Sequence, residues 1–251
     1  MCTVVVLLRP DHAWPVVLVA NRDERVDRPW DPPATWWPEY PGVIAGRDRT
    51  AGGTWMGLNA HGITAAVLNR PGSLGPAAGK RSRGELPLRA LAETTEVAAV
   101  DSIVALDAGM WRGFNLVIAG RGGATFIRGA GRGKPVAFAL PPGVSMITAL
   151  DPNDLDSPRV ARHLPRFRNA DAPEPDRWDE WREILADQSG PAGEQINCTP
   201  RGGFGTVCSS LLAIPAAGEP VWLFAAGAPH EAAFERVGGE RLRAMPAASR
   251  P

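Results

Sequence analysis

The chain is poor in the residues that build disulfide frameworks, metal sites and membrane spans. Its three cysteines, Cys2, Cys198 and Cys208, are an odd number without a CxxC pair, which favours reduced thiols. Its four histidines are scattered, so no metal-ligand cluster is predicted. No run approaches the roughly 18 apolar residues of a membrane helix, and the N-terminal apolar run stops at Arg9, unlike a secretory signal. We therefore expect a cytoplasmic protein without membrane insertion.

Net charge is also absent. The 27 basic and 27 acidic residues give a formal charge of +0, which argues against broad electrostatic binding to nucleic acid or to an anionic membrane. The 251 residues include 44% hydrophobic residues, 25 prolines and 28 glycines, which predicts a normal core with many turns. Because no clear linker interrupts the chain, we expect a single domain over 1–251 with a loose tail from about 238.

Strand patterns dominate the first seventy residues. Residues 3–8 (TVVVLL) and 16–20 (VVLVA) are apolar and rich in β-branched residues, and the turn-rich segment between them predicts a hairpin. Residues 29–42 hold five prolines and three tryptophans and are predicted to form a loop. Three more short strands follow, ending at Asn69.

Helices and strands then alternate in groups. Ser82 and Glu85 have the spacing of a capping box before a helix, residues 96–107 form a second candidate helix, and strands are expected at 114–119, 124–128, 135–140 and 144–149. Ser157 followed by Pro158 predicts a third helix, limited by Pro165. A fourth helix near 177–188 precedes strands at 205–214 and 220–225. This order predicts an α+β fold with largely antiparallel sheets between helix layers.

Cys2 is the first candidate for chemistry. Removal of Met1 would leave Cys2 with both a thiol and a free α-amine, whose ordinary pKa values are about 8.5 and about 7.7–8.0. The amine can then take the proton of the thiol near neutral pH and activate a nucleophile. The alternative is that Cys2 is a small buried residue of the first strand.

The segment "NRDE", Asn21–Glu24, ends the second predicted strand. If the two strands pair as a hairpin, a cation and a carboxylate arrive beside Cys2. The alternative is a solvated, charge-balanced turn. Asn69 also ends a predicted strand. Its side-chain amide can donate a hydrogen bond to a developing oxyanion; the alternative is that Asn69 is an ordinary turn residue before Pro71. Asn59, in "GLNAHG", has the same two interpretations, with the turn favoured.

Several motifs together carry a resemblance to a known family. The start "MCT", then "ANRDE", "GGTWMGLNAHGITAAVLNRPG", "GFNLVIAG" and "GGFGTVCSSLLAI" resemble the NRDE family of transport and Golgi organisation protein 2. That family is related to N-terminal nucleophile (Ntn) hydrolases of the penicillin V acylase and bile salt hydrolase group. The resemblance implies a four-layer αββα sandwich.

The resemblance also implies a site. Cys2 matches the nucleophile, Arg22 and Asp23 match the charged pair beside it, and Asn69 matches an oxyanion-side amide. The candidate substrate-binding residues are Asn21, Glu24, Trp55 and Asn59. No metal is expected.

Two positions depart from the acylase pattern. Thr148 and Ala149 stand where the acylases keep an asparagine, and Val207 stands where relatives often keep an arginine. Loss of one oxyanion donor typically costs about 10²–10³ in turnover. Asn153 and Arg201 are candidate substitutes.

Two functions from different classes remain open. The first is hydrolysis of a non-peptide linear amide by Cys2, which needs no cofactor. The second, implied by the family, is binding and trafficking of haem or another apolar metabolite, with His61, His163 and His230 as candidate axial ligands. The expected partner is therefore a small-molecule substrate or haem, and the sequence leaves the oligomeric state open.

Overall fold

A computed structural model describes residues 2–238 of the chain. Met1 and residues 239–251, which include nearly all of the predicted loose tail, lie outside the described residues. The strands are β1 Thr3–Leu8, β2 Val16–Arg25, β3 Trp30–Ala34, β4 Ile44–Asp48, β5 Met56–Leu58, β6 Thr64–Asn69, β7 Phe114–Gly120, β8 Gly123–Gly129, β9 Val136–Ala139, β10 Gly143–Ile147, β11 Phe204–Ile214, β12 Val221–Ala225 and β13 Phe234–Arg236. The helices are α1 Glu85–Leu91, α2 Glu96–Val104, α3 Pro158–Asn169 and α4 Asp179–Leu185, with a short 3₁₀ turn at Ala108–Met110.

The strands form two sheets. The first sheet has the order β10-β1-β2-β11-β12-β13, and the second has the order β3-β4-β5-β6-β7-β8-β9. Neighbouring strands in both sheets are antiparallel. The chain therefore forms the predicted α+β fold with antiparallel sheets.

The pleat of β1 explains how the layers stack. Val4 and Val6 point into the core between the two sheets, whereas Val5 and Leu7 point to the other face, where α3 and α4 pack. Helices α1 and α2 cover the outer face of the second sheet, where the buried residues include Leu86 and Ile103. Because successive side chains of a strand face opposite ways, a strand that is apolar on both sides needs cover on both sides. The result is the expected four-layer αββα sandwich.

Three local predictions were wrong. Strand β3 lies inside the predicted loop, and its two prolines are tolerated because β3 is an edge strand with an irregular register. The capping box fails since α1 begins at Glu85, with Gly84 at the N-cap. Helix α3 continues through Pro165 to Asn169.

The cap of α3 agrees with the prediction: the Ser157 hydroxyl accepts a hydrogen bond from the Val160 amide. Among the described residues, no helix has the length and apolar character that crossing a membrane requires.

Candidate active site

The hairpin of β1 and β2 places Cys2 beside the NRDE segment. Thr3 pairs with Asn21 across the ladder, and β11 pairs with β2 on the other side, with Cys208 opposite Arg22. Cys2 precedes Thr3 by one residue and therefore lies next to Arg22 at the end of the first sheet. The predicted meeting of these strand ends is confirmed.

The thiol of Cys2 is half-buried between the two sheets. Its Sγ lies 3.5 Å from the carbonyl oxygen of Asp23 and borders a cavity of about 20 Å³, which is room for about one water molecule. The cavity wall includes Ala20, Arg22, Trp55, Met56, Leu68 and Cys208. Burial raises the pKa of the Cys2 thiol, and the negative charge of Asp23 raises it further. The thiol therefore needs a base to become a nucleophile at neutral pH.

Arg22 lies on the cavity side of β2 and is only 5% exposed. Its guanidinium stacks over the Trp55 ring at 4.1 Å from the ring centroid. Its Nη2 lies 3.6 Å from a carboxylate oxygen of Asp48 and 3.9 Å from one of Glu24. Its Nη1 is buried and makes no hydrogen bond within the described part of the chain. Arg22 thus offers an unused donor beside the thiol.

Asp23 points to the opposite face of the sheet, toward α3, and is 3% exposed. Its carboxylate pairs with Arg159 at 2.9 Å and accepts hydrogen bonds from the Thr206 hydroxyl at 2.6 Å and the Cys198 thiol at 3.1 Å. Burial, the largest single effect, raises the pKa of Asp23, but the charge of Arg159 and the hydrogen bonds from Thr206 and Cys198 are among the effects that together lower it below its ordinary value. The carboxylate is therefore ionised at neutral pH.

The other two thiols differ from Cys2 in their surroundings. Burial and the charge of Asp23 raise the pKa of Cys198 to about 11, and Arg159 donates to its sulfur at 2.8 Å. Burial raises the pKa of Cys208, inside β11, to about 12. Both are protonated at neutral pH, which makes them useful internal references for Cys2.

The predicted substrate-binding residues separate into two groups. Trp55 and Glu24 lie at the cavity and around Arg22. Asn21 borders the cavity, but its amide donates to the carbonyls of Leu185 and Ile196 at 2.9 Å each and accepts from Ser209 at 2.6 Å. Its polar atoms are therefore engaged in the packing of α4.

The side chain of Asn59, at the turn between β5 and β6, is likewise held by hydrogen bonds to the backbone. Its amide nitrogen donates to the carbonyls of Leu91 and Glu93, and its oxygen accepts from the backbone amides of His61 and Ile63. These bonds support the turn interpretation. A role in substrate binding stays a prediction for both asparagines.

Asn69 is the last residue of β6 and is half-buried. Within the described residues its side chain makes no hydrogen bond, and the preceding residue, Leu68, borders the cavity. Its oxyanion role stays a prediction. Asn153 closes the turn after β10, where its side chain accepts from the Met146 amide at 2.8 Å, and Arg201 is exposed beside Phe204.

Position 207 has a structural explanation. The pairing of β2 with β11 shifts between Thr206 and Cys208, so Val207 is the extra residue of a β-bulge. The bulge lets Thr206 face Asp23 while Cys208 faces the cavity. Arg159, Cys198 and Thr206 were not predicted as site residues, since no local motif pairs residues so distant in the chain.

A larger cleft of about 410 Å³ lies at the same end of the first sheet. Trp30, Thr206, Val207 and His230 are among the residues that line it. The Trp30 ring meets the Trp55 ring edge-on, with centroids 5.7 Å apart. This aromatic pair lies between the cleft and the cavity of Cys2.

Comparison with known proteins gives the family. The model of the Transport and Golgi organisation 2 family matches residues 1–148. The chain belongs to this family. The human Transport and Golgi organization protein 2 homolog is 32% identical over 142 residues, 53% of this chain and 49% of the relative. The mouse homolog is 30% identical over 141 residues, with the same coverage. The match thus spans about half the length of these relatives.

Several solved structures resemble this Transport and Golgi organisation 2 chain. A Caenorhabditis elegans N-acylethanolamine-hydrolyzing acid amidase ortholog has a TM-score of 0.58 at 13% identity, covering 87% of this chain and 94% of that one. Penicillin V acylase from Agrobacterium tumefaciens has a TM-score of 0.52 at 15% identity, covering 90% of this chain and 83% of that one. A mutant conjugated bile acid hydrolase from Clostridium perfringens has a TM-score of 0.55 at 12% identity, covering 96% of this chain and 98% of that one. These likenesses show the fold.

Proposed function

We propose that this protein hydrolyses a linear, non-peptide amide with Cys2 as the N-terminal nucleophile, once Met1 has been removed. The observation that carries the proposal is the position of Cys2 at the head of β1, with its thiol 3.5 Å from the Asp23 carbonyl and beside the Arg22 guanidinium. A cysteine that only filled space in the strand would not need a cation such as Arg22 beside it.

The α-amine of Cys2 is the proposed base. While Met1 is attached, this nitrogen belongs to a peptide bond and accepts no proton. After removal of Met1, an amine with an ordinary pKa of about 7.7–8.0 lies on the same residue as the thiol. It can take the thiol proton as the sulfur attacks the carbonyl carbon. The buried charge of Asp23 lies at the same strand end and favours the protonated amine that results.

The remaining steps are attack on the carbonyl carbon, return of that proton to the leaving nitrogen, and hydrolysis of the thioester. The attack forms a C–S bond and places negative charge on the carbonyl oxygen, which the Asn69 amide is proposed to stabilise. The ammonium returns its proton to the departing nitrogen, so that the C–N bond breaks and a thioester remains on Cys2. Water then attacks the thioester with the amine again as base, which releases the acid and restores the thiol.

The test is a pair of variants assayed against a panel of N-acyl amides. We expect Cys2→Ala to abolish hydrolysis and retain the fold, because the variant lacks the nucleophile. Met110→Ala is the control, which removes an exposed sulfur-containing side chain that does not border the cavity and is expected to retain activity. Hydrolysis by Cys2→Ala at the wild-type rate would contradict the proposal.

Haem trafficking is the alternative, and two of its three candidate ligands, His163 and His230, are arranged for other contacts. His230 lines the large cleft, but its Nδ1 lies 2.9 Å from the Asn197 amide nitrogen and its Nε2 lies 3.1 Å from Glu231. Because the amide nitrogen only donates, Nδ1 accepts and Nε2 carries the proton. His163 is fully buried, with both ring nitrogens engaged. Neither ring offers a free nitrogen to iron, so this arrangement does not fit axial ligation, and haem binding stays a prediction.

A further inference from the structure

Arg159, near the start of α3, contacts residues on both sides of the nucleophile. Its Nη1 donates to the Thr3 hydroxyl and to the Asp23 carboxylate, at 2.9 Å each. Thr3 follows Cys2 directly in the chain, and the backbone carbonyl of Asp23 lies 3.5 Å from the Cys2 sulfur. One guanidinium therefore joins the residue bonded to the backbone of Cys2 to the residue whose carbonyl faces its thiol.

The second nitrogen of the guanidinium fork is also engaged. Its Nη2 donates to the Cys198 sulfur at 2.8 Å, and the Cys198 thiol donates to the Asp23 carboxylate at 3.1 Å. The side chains of Arg159 and Asp23 are both buried. Because buried charges are screened much less than exposed ones, the guanidinium compensates the Asp23 charge at this end of the sheet.

The start of α3 is held against the first sheet. The Thr148 hydroxyl, directly after β10, donates to the Ser157 hydroxyl at 3.2 Å. Ser157 in turn caps α3 by accepting from the Val160 amide, and Arg159 lies two residues after this cap. The guanidinium is therefore anchored relative to β10, which pairs with β1, the strand that Cys2 precedes.

The charges close to Cys2 determine how easily its thiol ionises. Along the cavity wall, β2 contributes the charged Arg22 and β11 the titratable Cys208 thiol, while Asp23 lies behind on the other face of β2. The wall on the side of the second sheet is uncharged and consists of Trp55, Met56, Ala66, Val67 and Leu68. Burial and the charge of Asp23 raise the pKa of the Cys2 thiol. A cation that compensates Asp23 therefore favours ionisation of the thiol.

We propose that Arg159 is a positioning residue for the reaction of Cys2: its guanidinium holds Thr3 and Asp23 in place around Cys2 and compensates the Asp23 charge. Arg159 does not touch the reacting atoms and acts through these two neighbours. A guanidinium suits the task, since its rigid fork bonds several acceptors and keeps its positive charge. This inference rests on the proposed function, because it concerns the same nucleophile.

The pH dependence of Cys2 alkylation tests this role. The rate of modification by iodoacetamide is followed across a pH series by peptide mass spectrometry on the whole protein without Met1. In Arg159→Gln the Asp23 carboxylate loses its positive partner. We expect the midpoint of the profile to rise by about one pH unit and the rate at pH 7 to fall about tenfold, since a nearby charge typically shifts a pKa by about that much or more.

Arg162→Gln is the matched control. It removes a guanidinium and its ion pair with Glu194 from the same helix, and it is expected to keep the wild-type midpoint and rate. A merely structural contribution of α3 would not distinguish the two arginines by the pH profile.

Arg159→Lys separates charge from geometry and remains informative if Arg159→Gln does not fold. Lysine keeps the positive charge, but a single ammonium lacks the fork that bonds Thr3, Asp23 and Cys198 together. We expect a midpoint close to the wild-type value and a rate several-fold lower.

The outcomes separate this role from the proposed function. A wild-type midpoint in Arg159→Gln, an equal shift in Arg162→Gln, or a wild-type rate in Arg159→Lys overturns the role of Arg159 while Cys2 remains a reactive nucleophile. If Cys2 of the wild-type protein reacts no faster than Cys198 and Cys208, the nucleophile proposal fails, and the role of Arg159 fails with it.

Discussion

At Cys2 the protein holds a thiol in a position where ionisation is unfavourable. Burial and the Asp23 charge both raise its pKa, so the thiol keeps its proton at neutral pH unless a base takes it. The proposed reactivity of the thiol therefore depends on the free α-amine, which exists only after Met1 has left. The same sequence with Met1 attached is expected to be inert.

Asp23→Asn tests the buried charge behind the nucleophile. The substitution removes the carboxylate that pairs with Arg159, itself only 4% exposed. Breaking a buried pair from one side typically costs about 3–5 kcal/mol, and we expect that loss in the free energy of unfolding measured by urea denaturation. Asp27→Asn is the control, because its pair with Arg25 is largely exposed and its removal is expected to leave the free energy of unfolding nearly unchanged. Equal losses in the two variants would contradict the structural role given to Asp23.

At the scale of elements, α3 carries a second buried group with a testable titration. Burial lowers the pKa of His163 from 6.5 to about 4, and the ring nitrogens contact Arg166 and the Glu194 carbonyl. Below pH 6.5 the unfolded chain binds a proton that the folded chain does not. The stability from neutral His163 is therefore complete above pH 6.5 and is lost as the pH falls toward 4.

His163→Gln measures that contribution. We expect the drop in the free energy of unfolding between pH 7 and pH 4.5 to become smaller by about 2 kcal/mol in the variant, because glutamine takes up no proton. His61→Gln, at an exposed turn, is expected to leave the drop unchanged. An identical pH profile for wild type and His163→Gln would contradict the assignment of a buried neutral ring.

The contact between Gly53 and Gly84 tests how the loop before α1 is held. In Gly53→Ala the added methyl group would meet the Gly84 backbone at 2.5 Å, so the loop must move. We expect a loss of about 1–3 kcal/mol in the free energy of unfolding. Gly193→Ala has nothing within 4 Å and is the control. Unchanged stability in Gly53→Ala would contradict the tight contact between the two glycines.

At the scale of the whole molecule, the sandwich was predictable because its signals are local or repeat along the chain. The apolar, β-branched runs of β1 and β2 and the turn-rich segment between them predicted their hairpin, and the hairpin alone brings Cys2 to Arg22 and Asp23. Strand β3 was missed since its prolines are excluded from central strands but tolerated at an edge. Sequence patterns do not report whether a strand lies at an edge.

The contacts that hold Asp23 behind Cys2 were not predictable in this way. Arg159 and Thr206 reach Asp23 from 136 and 183 residues further along the chain, and they meet it only because α3 packs on the first sheet and β11 pairs with β2. Such meetings depend on the stacking of layers, which local patterns do not encode.

One measurement tests the central claim most directly. The protein is produced without a tag before Met1, its intact mass is determined, and the alkylation rates of Cys2, Cys198 and Cys208 are compared at pH 7. A form extended by one residue before Cys2 serves as the control in which the amine is blocked. We expect Met1 to be absent and Cys2 to react at least about tenfold faster than the two protonated thiols, with the advantage lost in the extended form. Retention of Met1, or a Cys2 as inert as Cys198 and Cys208, would contradict the account.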